Sequence, residues 1–361
     1  MYKSSYHTPK TTHVPPMSAR SRASSTVSNS SSTVVTIHDL NDIKINVVNR
    51  KRRASSIVVR AVAEKKNADE IQIVNWTELS EWQQDNEFIF DGYVQETNSV
   101  KKCMRSLKMM HNETVNIWTH LIPSCVYLFL LIFFTDFMLE KRLTKLLGPD
   151  HGAMNTIDYI MVNIFLLGAF LCLFCSSCFH CFKQHSENLS VLWSKADYMG
   201  IIILISTSII SLLYYGFHDN LFLCKLFTVL TTIFGAVCGV FVLNDRFNHK
   251  DWKAIRALFF IMFAMSGLLP IITGCFYFGI QEAINRVQLG YVFYEAICYI
   301  TGALIYGFKI PECYYKPGKF DYFFNSHQIF HIFCVAGSIF HFKALIASFV
   351  HAKMGIHQVS A

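Results

Sequence analysis

Four residues stand where an apolar chain should avoid polar groups. His180 closes one hydrophobic stretch, Asp197 opens the next, and His327 and His331 open the last. An imidazole or carboxylate buried in hydrocarbon costs several kcal/mol unless it is paired or bound to an ion, so each is a candidate for function. His327 and His331 are four residues apart, which sets both rings on one face of a helix where they can share an ion. With His180 adding a nitrogen from another segment, the set has the donor number of a catalytic zinc site: three imidazoles, with a fourth position left to water whose pKa falls toward about 7. Asp197 is then placed to hydrogen-bond that water as general base or orienting group, without ligating. Ser176, one helical turn before His180, falls on the same side and can position the water or a substrate carbonyl.

These residues need rigid elements from distant parts of the chain, and the composition says what those are. The 361 residues are 52% hydrophobic and 16% charged. After about residue 115 the apolar residues gather into runs at 116–136, 157–182, 197–216, 221–243, 256–279, 289–309 and 327–350. Each is near the ~20 residues that cross ~30 Å of hydrocarbon, so the fold class is an all-α membrane protein, a seven-transmembrane helix bundle. Pro270 is expected to kink the fifth span, and Gly200, Gly239, Gly267, Gly302 and Gly337 to permit close helix approach. In a chain of seven crossings, the end of span two, the start of span three and the start of span seven lie at one membrane face whichever way the chain is inserted. That shared leaflet sets the four residues apart from blander readings. A lone histidine in an apolar helix usually finds a local hydrogen bond, His-x-x-x-His occurs by chance, and Asp197 after Ser194-Lys195-Ala196 has the type of a helix N-cap. His111, His120, His185, His218, His249 and His341 lack a second ligand at helical spacing in that leaflet and are kept off the metal; His120 and Glu113 read as a structural polar cluster where span one begins.

Residues 1–75 are rich in Ser, Thr, Lys and Arg, too poor in apolar surface to offset ordering entropy, and are expected to form a disordered cytosolic region. Its basic run, Arg50-Lys51-Arg52-Arg53-Ala54-Ser55, reads as a solvated charge run, with a phosphorylation switch or an anionic-lipid contact as functional alternatives. Residues 76–115 form a juxtamembrane region. From Asn98 or Ser99 as cap, Val100, Met104, Leu107 and His111 fall at helical spacing opposite Lys101, Lys102, Arg105 and Lys108, which predicts a basic amphipathic helix on the membrane surface. Residues 116–350 form the seven-transmembrane domain and 351–361 a short extracellular tail. Counting Lys and Arg in the short connections favours a cytosolic N-terminus: Lys101, Lys102, Arg105, Lys108, Lys183, Lys195, Arg246, Lys250, Lys253, Arg256, Lys309, Lys316 and Lys319 fall inside, against Lys141, Arg142, Lys145, Arg286 and Lys353 outside. The net charge of +7 thus bears on topology and anionic headgroups, not on nucleic acid. Of the twelve cysteines, most lie within apolar segments (Cys172, Cys175, Cys178, Cys181, Cys224, Cys238) and read as small hydrophobes rather than a disulfide framework.

Several motifs resemble one family in sequence order. Glu113-Thr114-Val115-Asn116-Ile117-Trp118-Thr119-His120, Ser176 through His180 with Ser186-Glu187, Lys195-Ala196-Asp197-Tyr198-Met199-Gly200-Ile201 and Ser326-His327-Gln328-Ile329-Phe330-His331 resemble the progestin and adipoQ receptor family. Glu81 through Asn86, Asp245-Arg246-Phe247, Tyr299 through Ala303 and Pro317 through Asp321 point to its adiponectin receptor branch. The resemblance implies a zinc ion on His180, His327 and His331, a water contacted by Asp197, and a role in fatty-acid metabolism and membrane lipid homeostasis. It also implies a ceramidase-type hydrolase activity on a ceramide-like lipid amide, a plasma-membrane location, and an extracellular protein ligand; the oligomeric state stays open. The rival reading is a non-catalytic hormone receptor or membrane-state sensor in which zinc is structural. A proton or ion carrier is disfavoured because the ionisable residues gather at one face instead of crossing the bilayer.

Overall fold

The computed structural model describes residues 70–139, 141, 144–145, 154–247 and 252–360. The basic run at Arg50–Ser55, and all but the last residues of the segment expected to be disordered, lie outside them.

Residues 70–99 make a small folded unit without a long element of its own. Strands β1 (Ile73–Val74) and β2 (Tyr93–Val94) pair antiparallel, with Ile73 opposite Val94 and Val74 opposite Tyr93. Between them run two single 3-10 turns, the first closed by a capping box in which Asn75 and Glu78 exchange hydrogen bonds. Leu79, Ile89 and Tyr93 bury against Val74, Trp76 and Phe320.

Helix α1 (Val100–Ser106) follows, started by the Ser99 hydroxyl accepting the Lys102 N–H. It is shorter than the charge pattern suggested. The Ser106 hydroxyl donates back to the Cys103 carbonyl and the chain turns, leaving Leu107 and His111 outside the helix. Cys103 and Ser106 form its buried side, facing Cys181 and Gln184, whereas Val100 and Met104 are about half exposed, at 53% and 49%.

Seven described segments are long and apolar enough to cross a membrane. They are α2 (Thr114–Phe133), α3 (Thr156–Phe182), α4 (Glu187–Gly216), α5 (Leu221–Leu243), the pair α6 (Lys253–Met265) and α7 (Leu268–Phe278), α9 (Leu289–Gly307) and α10 (Ser326–Ser360); the short α8 (Ile280–Val287) lies between α7 and α9. Ile122, Val126, Phe129 and Ile132 on α2 point outward and exposed, as a lipid-facing helix requires. The fifth span parts at Ser266–Gly267. Pro270 has no N–H to offer the Ser266 carbonyl four residues earlier, so the break sits where its ring forbids the bond. The main core is built from α2, α3, α4 and α10, through Tyr127, Phe165, Leu166, Leu173, Leu204, Leu345 and Phe349.

Two departures from the sequence reading bear on the site. Helix α4 begins at Glu187 with Ser186 as its cap residue, so Asp197 is not an N-cap; it sits three turns inside the helix. Its height is set by Gly200, where an added Cβ would lie 2.8 Å from the Cys172 Cα of α3. That backbone contact between antiparallel helices brings Asp197 level with Ser176, one turn from each partner. The second departure is a cover on the bundle. The loop between α9 and α10 interlocks with residues 85–92, Asp321 accepting the Phe90 and Asp91 backbone N–H groups at 2.7 and 2.9 Å. Glu312, 1% exposed, accepts the Ser326 N–H at the start of α10 and the Asn86 side-chain amide.

Candidate metal centre

The last turn of α3 carries His180 and the first two turns of α10 carry His327 and His331. One ligand nitrogen from each lies within 4.8 Å of those of the other two, and the three ring centroids are 4.7 to 4.9 Å apart. His180 and His331 are each 1% exposed; His327 keeps some accessible surface, and Tyr306 stands edge-on to its ring.

The hydrogen bonds behind the rings fix which nitrogens are left. His180 Nδ1 meets the Glu113 carboxylate at 2.7 Å, and His331 Nδ1 meets the Asn116 backbone carbonyl at 3.1 Å with the Thr119 hydroxyl also at 3.1 Å. A carboxylate and a carbonyl only accept, so both Nδ1 atoms carry the proton and both Nε2 atoms present lone pairs in the neutral ring. The Nε2 atoms of His180 and His327 face each other at 3.1 Å. Two nitrogens on one tetrahedral ion at about 2.0–2.1 Å would be about 3.3 Å apart, so this spacing fits a shared cation. The cluster can hold a metal ion.

Around it stands a layer of polar groups that the sequence did not place at the site. Glu113, at the foot of α2, takes Asn116 Nδ2 and His180 on one oxygen and the Lys183 ammonium on the other, at 2.8 Å. Burial opposes ionisation of Glu113, but Lys183 and His180 outweigh it and hold the carboxyl well below the usual carboxylate range. Lys183 continues to Asp85 at 2.6 Å. His120 stacks flat on His331, centroids 3.6 Å apart, and its Nδ1 lies 2.9 Å from the Ser176 hydroxyl. Glu113 and His120, expected to form a structural polar cluster where span one begins, instead each join the imidazole cluster, Glu113 through His180 and His120 through His331. The sequence offered one signal for this, the spacing of Glu113, Asn116 and His120 on one helical face. Ser176 faces Asp197, and Asp197 is near His180 without belonging to the ligand set. All five residues named from sequence, His180, His327, His331, Asp197 and Ser176, are therefore neighbours in space.

Residues 108–342 match the haemolysin-III-related family. The chain belongs to it, among the progestin and adipoQ receptors. The "ADIPOR-like receptor IZH1" of Eremothecium gossypii is 48% identical over 289 residues, 80% of this chain and 88% of the relative. The "ADIPOR-like receptor IZH2" of Saccharomyces cerevisiae is 39% identical over 310 residues, 84% and 94%. The "Adiponectin receptor protein" of Drosophila melanogaster is 32% identical over 274 residues, 76% and 59%. The protein is thus an adiponectin-receptor-like, multi-pass membrane protein of the progestin and adipoQ receptor family, and the matched region contains Glu113, Ser176, Asp197 and all three clustered histidines.

Proposed function

We propose that this protein binds zinc on His180, His327 and His331 and hydrolyses a lipid amide of the ceramide class, acting in lipid metabolism and membrane lipid homeostasis. The observation that carries the reading is the convergence of one ligand nitrogen from each of three imidazoles beside a carboxylate, Asp197, that stays out of the ligand set. Three protein nitrogens are the ligand count of catalytic zinc, and imidazole suits it among common ions. Bound there, zinc would supply a lowered water pKa and polarisation of an amide carbonyl.

The chain's own residues do the rest. Glu113 and the Asn116 carbonyl hold two rings in the metal-binding tautomer. Asp197 accepts the proton of the attacking water at its carboxylate and returns it to the leaving amine, and Ser176 keeps that carboxylate aimed. The Lys and Arg distribution supports a cytosolic N-terminus, putting the centre near the inner headgroups of the plasma membrane, and the lysines of α1 suit anionic lipid.

The test is hydrolysis of ceramide by purified protein. Chelation should abolish it and zinc restore it, while Asp197→Asn should retain the ion yet lose about 10²–10⁴ of the rate. Full activity in Asp197→Asn would remove the assigned role. The relatives' printed names favour a second reading, a receptor in which the ion only ties helices together; wild-type protein that holds zinc but cleaves no lipid amide would select it.

A further inference from the structure

We propose that the folded segment 73–98 is a clamp on the metal centre, with Asp85, Lys183 and Glu113 as positioning residues that transmit its docking to His180. This rests on reading the imidazole cluster as a metal site. The segment bridges the bundle end where the cluster lies. On one side Thr97 and Asn98 donate backbone N–H groups to the Gln184 and His185 carbonyls, just past the end of α3, at 2.9 and 2.8 Å. On the other it docks on the loop leading to α10 through Asp321, Glu312 and the Lys309–Glu87 pair. In the middle the Asn112 N–H reaches the Gly92 carbonyl at 2.9 Å, beside Glu113.

A continuous chain of contacts leads from this clamp to a ligand. Asp85 meets Lys183 at 2.6 Å, Lys183 meets Glu113 at 2.8 Å, and Glu113 meets His180 Nδ1 at 2.7 Å. The inner links are desolvated, whereas the Asp85 side chain is 47% exposed. Removing Asp85 therefore frees Lys183 without stranding a buried charge. With one anchor left, Lys183 holds Glu113 less firmly, and Glu113 sets the direction of the His180 ring. Partners behind a ligand are worth about 10–100-fold in metal affinity, and coupling between two sites is reciprocal. A surface ion pair of purely local effect would reach neither quantity.

The experiment uses the full-length protein in detergent, loaded with zinc, and follows release to a chelator. Asp85→Asn should release the ion about tenfold faster than wild type, Asp85→Glu at the wild-type rate, and Lys309→Ala, which cuts an exposed docking pair of the clamp and leaves the chain to His180 intact, more slowly than Asp85→Asn. Zinc loading should slow exchange of the Phe90 and Asp91 amides in wild type and not in Asp85→Asn. Wild-type release from Asp85→Asn overturns the clamp alone. Wild-type protein that takes up no zinc overturns the metal reading and the clamp with it.

Discussion

Helices α3, α4 and α10 are tied together at both of their ends, with different chemistry at each. Far from the imidazole cluster, the Asp158 carboxylate of α3 is 2% exposed and takes the Lys353 ammonium of α10 at 2.6 Å, the Tyr215 hydroxyl of α4 at 3.4 Å and the Asn155 backbone N–H at 3.0 Å. Every partner there is a donor to one anion, so the protein's own atoms close the tie. At the opposite end, α3 and α10 bring three imidazoles together, the Nε2 atoms of His180 and His327 3.1 Å apart, while the α4 carboxylate stands aside. Opposite charges complete each other; three converging imidazoles have the donor set that a cation completes. One end is thus suited to holding the bundle, the other to holding something added.

Removing one member of each tie separates the two. The largest effect is expected from His327→Ala: zinc in the purified protein should fall from about one ion per chain to less than about a tenth, measured by elemental analysis, with loss of any thermal stabilisation by added zinc. Full zinc content in that variant would break the comparison at its first term. Lys353→Met should leave Asp158 buried without its counter-charge and cost about 3–5 kcal/mol, read from unfolding in detergent, while zinc content stays at the wild-type level. If that variant also loses zinc, the two ends act as one cooperative unit. The smallest effect belongs to the rim beside the far tie, where Arg286 of α8 grips Asp219 with both terminal nitrogens. The Arg286 hydrogen bonds hold the Asp219 carboxyl below its ordinary value, so its contribution is present above pH ~4, the unfolded value, and is lost as pH falls through the lower folded one. Asp219→Asn should therefore cost less than about 1 kcal/mol at pH 7, the carboxylate being partly exposed, with the gap to wild type closing as pH falls through the folded value.

Much of this was legible because a membrane simplifies the code. Six of the seven span beginnings expected from apolar runs fall within a few residues of the helices found, since hydrocarbon dictates both length and polarity. The exception teaches most. Residues 187–196 include Glu187, Asn188, Ser190 and Lys195, too polar for an apolar run, yet they are helical, because backbone hydrogen bonding continues past the hydrophobic boundary. Reading Asp197 as a possible cap followed from that polarity alone. His327 and His331 were legible from their spacing, and His180 from the parity of the crossings. Glu113 as a partner of His180, and Lys183 and Asp85 behind it, were not, because those contacts join residues 67 to 98 positions apart that no periodicity connects. The β1–β2 hairpin escaped for a related reason: two-residue strands carry no alternation to detect.

Gly200 carries a last consequence. A methyl group there would press on the Cys172 Cα, an atom with no torsion by which to step aside, so α3 and α4 would have to part. Asp197, three residues earlier on the same rod, would be drawn away from Ser176 with it. The missing carbon at position 200 works as a gauge block between two rods, and its thickness decides whether the acid reaches its station.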